Sequence, residues 1–446
     1  MPDNNPIIDD RIRDLLADRS QMRQWVDCFG SPLNLTFPEI GVENARRWRD
    51  TVTAVYPNTD IRFSMKACKS DALAKAFTLA GLGLDVSSAQ ELTAALEAYA
   101  CGDRISFTGP DKPSHDLAMC IVHGVGVNLD STCELKRFLD LQKMLSRKGR
   151  PVLRLRPAEQ AESRFGFGAG DLLSAARDLK AAGSDIEGLS FHLSRYDSNA
   201  RIRVAREALG LIREMRAHGI AVKSLSIGGG YLMRYLDEPM DSQTFEPENY
   251  WHNKSIEDTY PYAGKTCAEH QAASILDGIL SDPESRETLL QNDIRLLLEP
   301  GRALLDQCGG TLFSVTGTKP TSSGANAAIL EGMSFSLSET WFNSDFVPKP
   351  VLLSGRTSEP NNQHYVLVGR SCLERDIIRW RLEQFGSQPQ PGDLFYFHNT
   401  AGYQMDSNES PFHRIPLPRK ASIFFAGSTP ACQLDSEVNI GSFTGL

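Results

Sequence analysis

Residues 61–86, IRFSMKACKSDALAKAFTLAGLGLDV, decide how the rest of the chain is read. Ile61–Ser64 is a short strand-like run, DALAKAFTLA repeats apolar residues at three- and four-residue spacing, and Gly83–Val86 is a second short run. Strand, amphipathic helix, strand is the repeating unit of a parallel sheet. The same alternation continues outward through Ile105–Thr108, Gly126–Leu129, Val152–Leu155, Leu189–Leu193, Ser224–Ile227 and Ile294–Leu298, with helical stretches such as AQELTAALEAYA and RVAREALGLIREMRAHG between them. Eight runs in about 265 residues match a (β/α)8 TIM-type barrel in count and size; a doubly wound open sheet is the competing arrangement.

The fold class expected is therefore α/β, a barrel over 38–303 followed by a mostly β C-terminal domain over 304–446. There, Gly-, Ser- and Pro-rich turns separate GGTLFSVTGTKP, KPVLLSG, HYVLVGRSC, GDLFYFH and KASIFFAG. Residues 1–37 form an N-terminal segment expected to pack on the β domain. The connection after the seventh run, 231–267, is far longer than ordinary barrel loops and rich in Tyr, Pro, Asp and Glu. It is expected to be an ordered lid over the ligand face or an oligomer contact.

Composition narrows the function. The 446 residues carry a formal net charge of −9 without a Lys/Arg-rich run, which argues against a nucleic-acid partner. No apolar run approaches a membrane span, and the first residues, MPDNNPIIDDRIRDLL, lack the basic start and apolar core of a secretory signal. A cytoplasmic protein with no membrane partner is expected. Nine cysteines, with no C-x-x-C pair or zinc-ligand spacing, read as free thiols, and no metal is implied.

Lys66 ends the first run, where a barrel strand delivers its side chain to the mouth. A lysine withdrawn from water loses its charge readily and becomes a nucleophilic amine suited to a Schiff base. Lys69 reads as an ordinary surface lysine. LSIGGGYL puts Gly228, Gly229 and Gly230 directly after the seventh run, where glycines let backbone N–H groups approach a phosphate. LLLEPGR puts Glu299 at the tip of the eighth run, followed by Gly301 and Arg302, and GLSFHLSRY puts His192 at the end of the sixth and Ser194 just beyond it.

From about Pro32 to Phe412 these motifs, in this order, resemble fold-type III pyridoxal-phosphate enzymes, the family of diaminopimelate, ornithine and arginine decarboxylases, with alanine racemase as a more distant relative. The resemblance implies pyridoxal 5′-phosphate on Lys66, its phosphate cradled by Gly228–Gly230 and contacted by Ser194, and His192 stacked on its ring. It implies that Glu299 keeps the ring nitrogen protonated, as decarboxylase-type members do, whereas the racemases place an arginine there. Asp85, in GLDVSSAQEL, lies near the cofactor, with Gly301 and Arg302 in the same site; Glu91 begins a helix. VGRSCLERD offers Cys372 to the neighbouring subunit's active site, to protonate the α-carbon. HNTAGYQM offers Tyr403, expected to reach the cofactor phosphate across the same interface. A homodimer with shared sites follows from that carry-over.

The departures concern substrate. Diamine-forming relatives carry an acidic residue directly after the cysteine; here it is Leu373, followed by Glu374, Arg375 and Asp376. An apolar side chain leaves a distal ammonium desolvated without a partner, at a cost of several kcal/mol. Arg164 stands where the family's S-K-F-G has lysine. Arg164, Leu373, Glu374 and Asp376 are the expected substrate-binding set. The leading expectation is α-decarboxylation of an amino acid or amino-acid-derived biosynthetic intermediate other than a simple diamino acid. An amino-acid racemase or epimerase, with Lys66 and Cys372 or Tyr403 as opposed bases, is the second reading. A catalytically inactive regulatory binding protein is the third.

Overall fold

A computed structural model describes residues 4–194, 196–238, 245–256, 259–337, 344–356, 361–407, 409–425 and 430–443. After two short helices comes strand β1 (Leu33–Thr36), then eight strands, β2 (Thr59–Ser64), β3 (Gly83–Val86), β4 (Ile105–Phe107), β5 (Gly126–Leu129), β6 (Arg150–Arg154), β7 (Ile186–Ser190), β8 (Val222–Ser226) and β9 (Arg295–Leu298). All eight pair in parallel with their neighbours, and β2 closes on β9 with Thr59 opposite Leu296. The expected strands lie within a few residues of these. The largest offset is at the sixth, where the apolar tail Phe191–Leu193 belongs to the following loop.

The alternation inside β2 shows how the barrel is built. Ile61 and Phe63 are buried, with the Phe63 ring 4.5 Å from Phe77 on the covering helix Asp71–Leu79. Asp60, Arg62 and Ser64, the alternate set, are also buried. Arg62 lines a small inner pocket with Ser106, Asn128, Ser224, Ser226 and Glu299. The lumen is therefore largely polar, unlike the branched apolar layers usual in this architecture. Helix starts follow local chemistry: Ser88 Oγ accepts from Glu91 N while Ser87 N donates to Glu91 Oε2, so Glu91 caps the helix Ala89–Glu97.

The remaining strands are β10 (Gly309–Pro320), β11 (Asn326–Leu330), β12 (Val351–Leu353), β13 (Tyr365–Val368), β14 (Ile377–Glu383), β15 (Leu394–His398), β16 (Arg419–Phe424) and β17 (Ala431–Leu434). They form a nine-stranded sheet with β1, ordered β14-β13-β11-β10-β1-β16-β17, while β15 pairs with β10 and β12. β1 thus lies between β10 (antiparallel) and β16 (parallel), so the first strand of the chain sits inside the C-terminal sheet. Strand β14 escaped the sequence reading because its sequence IIRWRLE alternates with arginine. Both arginines are buried, Arg379 on Glu383 (2.6 Å) and Arg381 on Asp345 (3.2 Å).

Two junctions join sheet and barrel. Asp435 Oδ1 accepts from Ser70 Oγ (2.5 Å), Ser422 Oγ (2.9 Å) and Thr36 Oγ1 (3.2 Å), and Oδ2 accepts from Asp71 N (2.8 Å). In the long connection, Tyr250 donates to Asp345 and accepts from Arg381 (2.7 Å), and Lys254 lies over the Trp380 ring. Residues 239–244 and 257–258 of that connection lie outside the described set. Asp435→Ala removes the shared acceptor and leaves several buried donors unpaired. A loss of about 2–4 kcal/mol is expected, read as a lower denaturant midpoint; an unchanged midpoint contradicts the role given to this junction.

Candidate active site

The C-terminal ends of the barrel strands open into a cavity of about 490 Å³. Ser64, Asp85, Asn128, Arg154 and Ser190 reach it from the strands, and Glu299 from the residue after β9. Loops add Lys66, His192, Ser194, Gly229, Gly230, Gly301 and Arg302, and the β domain adds Tyr403. Lys66 occupies a single 3-10 turn, Met65–Ala67, directly after β2. Met65 and Ala67 are buried, and the lysine between them is exposed to the open cavity. It was expected to be withdrawn from water; the turn instead spends its two buried directions on its neighbours. Nζ of Lys66 makes no hydrogen bond or ion pair among the described residues.

Two carboxylates set the electrostatics. Asp85 accepts from Thr108 Oγ1 (2.7 Å), Ser106 Oγ (3.0 Å) and Ser64 Oγ (3.2 Å). Glu299 Oε1 accepts from Ser226 Oγ at 2.7 Å. Burial, reinforced by the charge of Asp85, pushes the Glu299 carboxyl up to about 7. His192 is driven the other way, to about 3, by burial and then by Lys66, Arg154 and Arg201, so its imidazole is neutral.

The glycine loop is shaped by close approach. A Cβ on Gly229 would stand 2.3 Å from the Glu299 carbonyl oxygen, and one on Gly228 (φ +71°) 2.9 Å from His192 Nδ1. Gly229 and Gly230 face the cavity, while Gly228 sits one step deeper. Tyr403 is held at φ +76° by its N–H, which donates to the Ala67 carbonyl at 2.8 Å. A bulky residue in that region is strained, and the bond that holds it abuts Lys66. Tyr403 was expected to come from a neighbouring chain. It reaches the cavity of its own chain, because the turn after β15 is bonded directly to the turn after β2.

The expected substrate-binding set is not brought together. Arg164 is exposed with its guanidinium 4.2 Å over Phe165, and Phe165 rather than Arg164 enters the cavity. Asp376 is buried away from it, accepting from Ser334 N and Oγ (both 2.7 Å) and Ser371 N (2.9 Å), which saturates the carboxylate in a β-domain turn. Cys372, Leu373 and Glu374 are exposed in the turn between β13 and β14, outside the cavity. The residues missed in sequence are Arg154, Phe165, Tyr196 and Tyr260. Arg302 lies between aromatics, 3.8 Å from the Tyr260 centroid and 4.9 Å from that of Tyr403. The aromatic richness of the long connection was the one available signal for Tyr260. Away from the cavity wall, Cys267, Glu269 and His270 place their ligand atoms within 4.8 Å of one another, but Glu269 is held by Arg47 at 2.8 Å.

The family model for the pyridoxal-binding domain of pyridoxal-dependent decarboxylases matches residues 42–305. The chain belongs to the pyridoxal-dependent decarboxylase family. Among other members, it is 34% identical to an uncharacterised protein, y4yA, of Sinorhizobium fredii, over 93% of each chain. It is 24% identical to a diaminopimelate decarboxylase of Zymomonas mobilis over 78% of each. In structure it is similar to Helicobacter pylori diaminopimelate decarboxylase complexed with L-lysine, with a TM-score of 0.73, 16% identity, and coverage of 93% of this chain and 95% of that one. As in that fold, a closed parallel barrel is followed by a mostly β domain.

The cavity of this decarboxylase-family chain fits pyridoxal phosphate in its chemistry. Glu299 is a half-buried carboxylate with no ion-pair partner among the described residues, and could accept a hydrogen bond from a protonated ring nitrogen. The glycine turn leaves backbone unobstructed by side chains at the cavity wall, and Lys66 is an unpaired amine. No helix among the described residues is long and apolar enough to cross a membrane.

The raised Glu299 carboxyl has a stability consequence in cofactor-free protein. Its folded-state value, about 7, exceeds the ordinary 4.5. Its contribution is fully present below pH 4.5 and is lost as pH rises through 7. Glu299→Gln should therefore be more stable than wild type at pH 8, by roughly 1–3 kcal/mol, with the two converging near pH 5. Parallel denaturation curves across that range would contradict the placement.

Proposed function

We propose that this protein is an α-decarboxylase acting on an amino acid, or an amino-acid-derived intermediate, that lacks a distal ammonium group. The observation that carries the reaction type is Glu299: a half-buried carboxylate at the tip of β9, sharing one cavity with the unpaired amine of Lys66. Pyridoxal phosphate, when bound, supplies the sink for the electrons left at the α-carbon as carbon dioxide departs.

The chain's own residues have distinct tasks. Lys66 supplies the amine that holds the cofactor and later releases product. Glu299, steadied by Ser226, keeps a proton on the ring nitrogen, and Asp85 adds negative charge on the same side. A neutral His192 offers a flat face for stacking and does not compete as an acid. Ser194, Gly228, Gly229, Gly230, Gly301, Arg302 and Tyr403 form the phosphate end. Cys372, exposed on the β domain, is proposed to enter the cavity of a second chain and return the proton to the α-carbon, which makes a cytoplasmic homodimer the working unit.

Two observations support the substrate class. Leu373 replaces the acidic residue that diamine-forming relatives carry after the cysteine. Among the described cavity-lining residues the only carboxylates are Asp85 and Glu299, whereas Arg154, Arg302 and six Phe and Tyr rings line the same space. That lining suits an apolar, aromatic or acidic side chain.

Carbon dioxide release across a panel of amino acids and their conjugates tests the reading. Release from non-basic substrates is expected; preferred turnover of lysine, ornithine or diaminopimelate overturns the substrate class. Racemisation with solvent deuterium entering recovered substrate, and no carbon dioxide, overturns the reaction. Lys66→Ala should abolish the visible cofactor band and lower turnover at least about a thousandfold, and Glu299→Gln about a hundredfold. Mixing Lys66→Ala with Cys372→Ala chains should recover about a quarter of wild-type activity, because half the randomly paired dimers are mixed and each holds one intact site. No recovery from mixed dimers contradicts shared sites.

A further inference from the structure

Arg201 lies in the first turn of the helix Ser198–Ala217 and is 1% exposed. Its three guanidinium nitrogens are all buried and make no hydrogen bond of good geometry among the described residues, and the one polar group close enough to interact with them is the Tyr231 hydroxyl. Its one close company is aromatic, with the guanidinium carbon 4.8 Å from the Tyr231 centroid. A buried cation left this way costs several kcal/mol unless an anion arrives, and a ring face offsets only a fraction of that. Arg201 lies directly behind the cavity wall without lining it. One terminal nitrogen stands 3.2 Å from where a Cβ on Gly230 would be, and both Gly230 and Tyr231 line the cavity. Gly230 has φ +85°, a conformation that L side chains rarely adopt, so no side chain stands between the backbone here and the guanidinium.

We propose that Arg201 is a cation of the phosphate cradle, completing from behind the glycine turn the charge that Gly229 and Gly230 receive from in front. The assignment rests on the reading of the cavity as a pyridoxal phosphate site. A guanidinium presents five donors in a fixed fork, matched to a phosphate, and each charge-assisted bond is strong in a site shielded from water. Among the described residues no carboxylate forms an ion pair with Arg201, so binding the phosphate does not require breaking one.

The test compares full-length wild type, Arg201→Met and Arg201→Lys reconstituted with pyridoxal phosphate or with pyridoxal, which lacks the phosphate, following the visible absorbance band. Arg201→Met should weaken pyridoxal phosphate binding by about ten- to hundredfold and leave pyridoxal binding unchanged, with Arg201→Lys between. Inorganic phosphate should raise the melting temperature of cofactor-free wild type and not that of Arg201→Met, which should melt higher than wild type in phosphate-free buffer. Equal losses for both cofactors, or no loss for either, overturn the proposal and leave Arg201 a packing residue against Tyr231. A raised substrate KM with unchanged cofactor affinity overturns it in favour of a carboxylate ligand. If Arg201→Met does not fold, the ratio of the two affinities in Arg201→Lys decides. Failure of wild type itself to bind pyridoxal phosphate would instead remove the reading on which the proposal stands.

Discussion

Two carboxylates at the mouth of one barrel, Asp85 buried and Glu299 half-buried, constrain everything around them. Asp85 is withdrawn from water, and its charge adds to the cost of ionising Glu299. Hydroxyl groups are the local remedy: Ser64, Ser106 and Thr108 on Asp85, and Ser226 on Glu299. That requirement reaches back into the sequence, because the residues in question are the lumen-facing members of β2, β4 and β8 or lie at their ends. The polar lumen, which sacrifices the apolar filling typical of such barrels, is the consequence. Hydroxyls satisfy acceptors but bring no charge, so the pair stays poised for a cationic partner on the cavity side. The carboxylates and the unpaired amine of Lys66 thus belong to one electrostatic arrangement.

The β domain is part of that arrangement. Tyr403 is carried to the cavity by the turn after β15 and locked by its backbone bond to Ala67, next to Lys66. Strand β1 lies in the same sheet, and Asp435 ties the sheet to the start of the helix Asp71–Leu79, the helix that follows Lys66. The turn bearing the amine is therefore braced from both sides by residues more than three hundred positions away. The long connection after β8 works in the same sense. Its buried Tyr250 is bonded to Asp345 and Arg381 of the β domain, while its Tyr260 and Met233 reach the cavity wall. Anchoring and lining are done by one segment.

Much of this was legible in sequence because it depends on periodicity and on strand ends. The eight barrel strands, their helices, and the placement of Lys66, His192, Glu299 and the glycine turn all follow from short apolar runs ending in a chemically unusual residue. A parallel barrel places such ends together on one face whatever the intervening sequence, so local pattern suffices. Strand β14 was not legible, since its buried arginines look like solvent-facing residues until Glu383 and Asp345 are seen beside them.

What only the tertiary structure decided concerns side chains whose partners are distant in sequence. Asp376 reads as a free carboxylate, yet Ser334 and Ser371 saturate it. Arg201 reads as one more charge on an amphipathic helix, yet it is buried beside the glycine turn. Tyr403 was expected to serve a neighbouring chain, and a single bond to Ala67 places it at the cavity of its own. Sequence by itself determined that Lys66, His192, Glu299 and the glycine turn stand at the barrel mouth, because strand period and chain order bring them there. The folded chain decided which of those polar groups keep a free valence, because hydrogen-bond satisfaction and burial are properties of three-dimensional neighbours that no local pattern encodes.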